Sequence, residues 1–282
     1  MKKLFLLLLF LIHPFVFAQI DVVDDSGQHF IFASPPKRII TLSPHATELV
    51  FNAGAGERIV GTTRFSNYPR AAQSIPLIGD IYALDIEKII TLKPDIIIFW
   101  NDGNPKKQIE QLQKLPFPLF NSSPRTLYDI PHNIKKLGKL FHTESIALPQ
   151  SQQLAKKIKS LQTHYQNQTK LRVFYQVWDK PLYTLGKRHI FNDILTLCGG
   201  VNIFNQIDVL SPIVNTEDVI HANPDVIFSG KENIAFWAQF PNLNAVKKKH
   251  IFTLPNDSLA RPGPRMIDGA YQVCQQLSLV RK

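Results

Sequence analysis

Two segments of this chain follow one pattern: EKIITLKPDIIIF from Glu87 and EDVIHANPDVIFS from Glu217. Each has a glutamate, an apolar residue three positions on (Ile90, Ile220), then Pro-Asp (Pro94-Asp95, Pro224-Asp225) and a hydrophobic run. The spacing predicts a helix-to-strand unit. The glutamate sits in the first turn and apolar residues pack inward; proline then ends the helix, because the residue before it is pushed out of the α region, and a buried strand follows. A chain that uses this unit twice is expected to form two halves related by an approximate two-fold axis, facing each other across a groove where a small ligand sits.

The remaining sequence alternates in the same way. Ile20 to Val23 and Phe30 to Phe32 read as a hairpin around Asp24-Asp25-Ser26-Gly27. Then strands at Ile39 to Leu42, Ile59 to Gly61, Ile96 to Phe99 and Pro118 to Phe120 alternate with helices at Thr47 to Ala53, Asp85 to Leu92, Lys106 to Leu115 and Leu127 to Leu140. From Thr143 to Thr169 the texture becomes one long amphipathic helix, with Pro149 expected in its first turn. The rhythm resumes with strands at Arg172 to Val177, Tyr183 to Leu185, Val226 to Phe228 and Ile251 to Leu254. Its helices are Ile190 to Leu197, Thr216 to Ala222 and Pro264 to Leu279. The expected fold class is α/β, two Rossmann-like lobes with parallel sheets joined by a single long helix. Residues 19–142 and 170–282 are the lobes and 143–169 the link.

Met1-Lys2-Lys3 and the apolar run Leu4 to Ile12 have the layout of a secretory leader, residues 1–18, cut after Ala18. His13-Pro14 interrupts the run too early for a membrane anchor, and no cysteine follows it to carry a lipid. Export to an oxidising compartment gives Cys198 and Cys274 a use as a disulfide, two unpaired buried thiols being the alternative. The net charge of +10 falls to +8 without Lys2 and Lys3. Its lysines, as in Lys156-Lys157-Lys159 and Lys247-Lys248-Lys249, lie on helix faces without an arginine-rich arm, so no nucleic-acid partner is expected.

No catalytic constellation stands out. Gly54-Ala55-Gly56 has Ile59 where a dinucleotide loop needs its third glycine, and no GxSxG, P-loop or HExxH occurs. The histidines lack metal-ligand spacing, so neither a metal nor a cofactor is expected. Aromatic residues instead collect after strands, where open α/β sheets present ligands: Phe65, Tyr68, Tyr82, Trp100, Trp178 and Trp237. Aromatic loop tips suit a flat, largely apolar ligand with polar edges.

The string Lys37 to Leu49, with Ile59-Val60-Gly61, Asn67-Tyr68-Pro69, Gly79-Asp80 and Leu92-Lys93-Pro94-Asp95, closely resembles the class III periplasmic substrate-binding proteins of ABC importers for cobalamin, haem and iron siderophores. Cys198-Gly199-Gly200-Val201-Asn202-Ile203-Phe204 and Asn223-Pro224-Asp225 agree with it. The resemblance implies a monomer that holds its ligand between two lobes and docks on the transmembrane subunits through one glutamate per lobe, here Glu87 and Glu217. Ser43-Pro44, Trp100 with Gly103-Asn104, and Cys198-Gly199-Gly200 are most similar to the cobalamin binders, making a cobalamin or similar macrocycle the implied cargo. Carried over residue by residue, Trp100 is the plank, Phe65 and Tyr68 the neighbouring wall, and Asp257 with Arg261 the polar edge. Ser43, Pro44 and His45 line the same site. Where cobalamin binders place loop tryptophans this chain has Ile81-Tyr82 and Ser211-Pro212, and Trp178 stands in from an adjacent position. A haem binder, with His45, Tyr68 or Tyr82 as axial ligand, and a siderophore binder using Arg64, Arg261 and Arg265 are the alternatives within the family. An exported enzyme using Asp80, Asp102 and Asp257 is the alternative outside it.

Overall fold

A computed structural model describes residues 19–165, 167–254 and 256–282, so the expected leader lies outside the described residues. In chain order the strands are β1 (Ile20–Val23), β2 (His29–Phe32), β3 (Ile39–Thr41), β4 (Ile59–Thr62), β5 (Ile96–Phe99), β6 (Leu119–Asn121), β7 (Leu171–Tyr175), β8 (Gly200–Asn202), β9 (Val226–Ser229) and β10 (Ile251–Thr253). The helices are α1 (Pro44–Asn52), α2 (Ile86–Leu92), α3 (Lys106–Leu112), α4 (Asp129–Phe141), α5 (Glu144–Tyr165), α6 (Phe191–Leu197), α7 (Thr216–Ala222), α8 (Ile234–Trp237), α9 (Asn244–Lys247), α10 (Asn256–Leu259) and α11 (Arg265–Val280).

Both copies of the repeated segment fold alike. Asp85 and Asn215 cap α2 and α7, their side chains accepting from the N–H of Lys88 and Asp218, and both helices end on a left-handed residue, Lys93 and Asn223. The aspartates after the prolines do more than follow a broken helix. Asp95 accepts from the N–H of Lys37 (2.7 Å) and Arg38 (2.9 Å), and Asp225 from that of Arg172 (2.9 Å). Their own N–H groups donate to the carbonyls of Arg38 and Arg172. Each therefore pins the first strand of its lobe to the third. Inward packing is done by Ile89 and Val219, both fully buried, whereas Ile90 and Ile220 stay 46% and 38% exposed, one turn beyond the glutamates. The expectation that the repeated isoleucines face the core is corrected by this.

The two sheets share one topology. The first runs β4-β3-β5-β6 and the second β10-β9-β7-β8, which numbered within each lobe is the same order, and all their pairings are parallel. Alternate residues of β5 and β9 enter cores on opposite faces: Ile96 and Ile98 against Ile97, and Val226 and Phe228 against Ile227. One of these cores continues from the first lobe through Leu154, Ile158 and Leu161 of α5 into α6 and α11 of the second. That apolar stripe makes the link a packed strut rather than a tether.

Local readings needed correction where short-range signals were weak. Pro149 lies inside α5 beyond its first turn. Tyr183 to Leu185 contributes only isolated bridges, from Tyr183 to Trp178 and Ile213. The three-residue β8 begins at a glycine and gave no apolar run. Trp237 is fully buried and donates through its indole N–H to Gln176 Oε1 (2.7 Å), so it belongs to the core and not to a ligand surface.

Candidate functional site

The loops following the parallel strands of both lobes carry the aromatic and charged residues singled out above. Trp100, next after β5, is half-buried and locked in a tight turn. Its N–H donates to Asn104 Oδ1 (2.7 Å), and Asn104 Nδ2 donates to the carbonyl of Leu42 (2.9 Å). Gly103 is required there, since a Cβ would stand 2.1 Å from the indole. The His45 ring meets Trp100 edge-on at 4.8 Å. Ser43 and Pro44 start α1, Ser43 as its cap and Pro44 at the position where a missing N–H costs nothing. Ser43 and His45 are buried at 3% and 1% exposure, the Ser43 side chain serving as the helix cap and the His45 ring lying against the Trp100 indole.

Phe65 (63% exposed, φ 70°) and Tyr68 (44%) follow β4. Tyr82, 86% exposed, tips a second loop closed by Asp80, whose carboxylate accepts from the N–H of Tyr82 (2.8 Å) and Ala83 (3.2 Å). Those two N–H groups hold Asp80 below the usual carboxylate range. Gly79, at φ 128°, allows the close return, because a Cβ would lie 2.2 Å from the Ala83 carbonyl oxygen. From the second lobe, Trp178 is 60% exposed after β7. Arg261 donates to the Phe65 carbonyl (3.1 Å), Asn67 Oδ1 (3.3 Å) and Asp257 (3.1 Å). Arg261 thus meets the Phe65–Tyr68 loop directly, and Asp257 meets it only through Arg261.

A cavity of about 690 Å³ opens between the lobes, lined by Asp102 and Arg125 from the first and by Arg188, Val209, Leu210 and Ser211 from the second. Arg125 forks onto Asp102 (3.0 and 3.1 Å) and Arg188 onto Asp208 (3.0 and 2.9 Å). Sequence reasoning did not foresee these pairs, naming Asp102 only as a candidate acid, and it missed Glu48. A usable signal was Glu48 itself, an acid amid the apolar residues of α1. Glu87 and Glu217 are exposed in the first turns of α2 and α7, and neither is ion-paired among the described residues. No group of three metal-ligating side chains occurs among the described residues. Nor is any described helix long and apolar enough to cross a membrane.

Burial lowers the pKa of His45 to about 3 and of His189 to about 4. Both stay neutral when folded, while the unfolded chain protonates near 6.5. Stability is thus complete above pH 6.5 and lost as pH falls toward these values, by up to about 1.4 kcal/mol per histidine for each pH unit. The thermal midpoint is expected to drop between pH 7 and pH 5 and to drop less in His189→Asn. A flat midpoint over that window refutes the assignment.

A sequence profile described as periplasmic binding protein matches residues 39–258. The vitamin B12-binding protein of Vibrio cholerae serotype O1 (strain ATCC 39541) is 36% identical over 252 residues, covering 88% of this chain and 91% of that protein. A protein of the same name from Photorhabdus laumondii is 33% identical over 257 residues, covering 90% and 92%. Among solved structures, the periplasmic vitamin B12 binding protein BtuF of Vibrio cholerae superposes with a TM-score of 0.84 at 36% identity, over 88% of this chain and 99% of that one. The periplasmic heme-binding protein RhuT of Roseiflexus sp. RS-1 shares the fold, with a TM-score of 0.75 at 20% identity over 88% and 100%.

Proposed function

The chain belongs to the periplasmic binding protein family, and from that premise we propose that it captures cobalamin or a related corrinoid in the periplasm and delivers it unchanged to an ABC import permease. The observation that carries the choice of ligand is charge pairing around the cleft. Arg125, Arg188, Arg261 and Arg265 each hold a carboxylate: Asp102, Asp208, Asp257 and Glu48. Arg64 faces Asp80 at 3.9 Å. Haem, with its two carboxylates, and ferric siderophores, with their anionic ligating groups, call for unpaired cations. A corrin edged with neutral amides finds alternating donors and acceptors instead. His45, an axial candidate for haem, is sealed beneath Trp100. The vitamin B12-binding relatives at 36% and 33% identity support the same choice.

The ligand sits on the Trp100 face, between Phe65 and Tyr68 of one lobe and Trp178 of the other, with Asp257 and Arg261 at its polar edge. The βαβ geometry also supports a role for the glutamates. A crossover helix runs back against the direction of its strands, so α2 and α7 begin at the carboxyl ends of their sheets, on the rim of the cleft. Glu87 and Glu217 then stand as one acidic knob on each side of the opening, placed to engage the permease. Calorimetric titration with cyanocobalamin tests the ligand. Heat is expected at micromolar protein, and Trp100→Ala weakens binding by about tenfold or more through loss of one stacked face. Absence of heat, or an unchanged affinity in that variant, rejects the site.

A further inference from the structure

The loop carrying Phe65 and Tyr68 belongs to the first lobe, yet arginines of the second lobe hold it. We propose that Arg265, anchored by Glu48, is a positioning residue of the cleft that fixes the Tyr68 ring and the spacing of the two lobes through one guanidinium. The proposal rests on the corrinoid reading for its ligand measurements and on geometry alone for its ligand-free one.

Glu48, in α1, is 1% exposed. A carboxylate withdrawn from water needs a counter-charge and hydrogen bonds. Among the described residues its ion-pair partner is Arg265 at the start of α11, with Nη2 at 2.6 Å from Oε1 and Nε at 3.1 Å from Oε2. The backbone approach is built for this contact. Pro262, Gly263 and Pro264 are buried, and a Cβ on Gly263 would stand 3.2 Å from Glu48 Oε2 and 3.5 Å from His45 Cβ. The same guanidinium lies over the Tyr68 ring, 4.3 Å from its centroid.

An exposed ion pair across a cleft would contribute little. Here opening the lobes strands a buried carboxylate without its counter-charge and releases Tyr68 in the same movement. The arrangement of the lobes and the shape of the aromatic wall therefore change together. Planarity matters as much as charge, because both nitrogens of the fork are used while the face covers the ring.

Cyanocobalamin affinity and dissociation rate, measured on R265M, R265K, E48Q and Y68A, form the first arm. R265M is expected to weaken binding by about tenfold or more, mainly through faster dissociation. Y68A alone has an effect of about the same size, and the R265M/Y68A pair is no weaker than R265M, since Tyr68 without its arginine no longer contributes. R265K keeps the charge, loses the fork and falls between wild type and R265M; should R265M not fold, R265K carries the comparison. Ile134→Ala, a core truncation in α4 that lowers stability without touching the cleft, keeps wild-type affinity. Losses that multiply in R265M/Y68A, or unaltered affinity in both Arg265 variants, overturn the proposal. The second arm needs no ligand: distances between spin labels at exposed Lys107 and Lys248 broaden in R265K and E48Q. An unchanged distribution overturns the lock. Broadened distances in a protein that binds no corrinoid uphold the lock and reject the corrinoid reading alone.

Discussion

Replacing both Glu87 and Glu217 with alanine is expected to abolish ligand uptake by cells carrying the cognate importer, while the purified double variant binds cyanocobalamin as wild type does. The two carboxylates are exposed, in the first turns of α2 and α7. The capping side chains are their neighbours Asp85 and Asn215, so the helices keep their starts. What each helix loses is the interaction of a charge with its dipole, about 0.3–1 kcal/mol. That is too small to unfold a domain whose β5 and β9 are wholly buried. Stability and affinity therefore stay near wild type, and the loss appears only where a partner must read two negative charges at a fixed spacing. Ile90 and Ile220, exposed one turn further along the same helices, give each charge an apolar border suited to docking. Single variants should retain partial uptake. Uptake of labelled cobalamin at the wild-type rate by the double variant removes the docking role.

Much of this architecture was legible because it is local and repeated. The periodicity around Glu87 and Glu217 located α2 and α7, Pro94 and Pro224 located their ends, and two copies implied two sheets of one topology. The resemblance through Ser43-Pro44 and Trp100 with Gly103-Asn104 pointed to the strand ends where the aromatics cluster. What the sequence left hidden depends on partners far along the chain. Asp95 and Asp225 read only as the residues after the helix-ending prolines, although their carboxylates tie strand entries at Lys37, Arg38 and Arg172. Glu48 and Arg265 are separated by three strands of the first sheet, the link and most of the second lobe, and neither periodicity nor spacing connects them. His45 carried the look of a ligand because histidines are often ligands. Only the turn that lowers Trp100 onto it shows a ring kept neutral by burial. The isoleucines of the repeat misled for a related reason: hydrophobicity reports a preference for burial, whereas the inward positions of α2 and α7 are taken by Ile89 and Val219.

Removing the disulfide is expected to give the largest change in stability. Cys198, at the end of α6, and Cys274, in α11, are bonded and fully buried, joining two helices that pack on the same face of the second lobe. The bridge closes a loop of sequence separation 76, and the chain-entropy model assigns such a loop about 4 kcal/mol. The paired C198A/C274A substitution adds the loss of two buried sulfur atoms, which alanine leaves as small voids. For a chain of this size each kcal/mol moves the midpoint by about 2–4 °C, so the variant should melt about 8–16 °C lower in a calorimetric scan. Wild type treated with a phosphine reductant should approach the variant. Ligand affinity is expected to survive, since Cys274 lies nine residues beyond Arg265, about 13 Å along α11 from the cleft contact. The two effects separate the roles of one helix: its first turn meets the opposite lobe, and its later turns are stapled to the lobe it closes. A midpoint lowered by less than about 3 °C would mean that packing of Ile194, Ala270 and Leu277 already fixes α6 against α11, leaving the cross-link little unfolded-state freedom to remove.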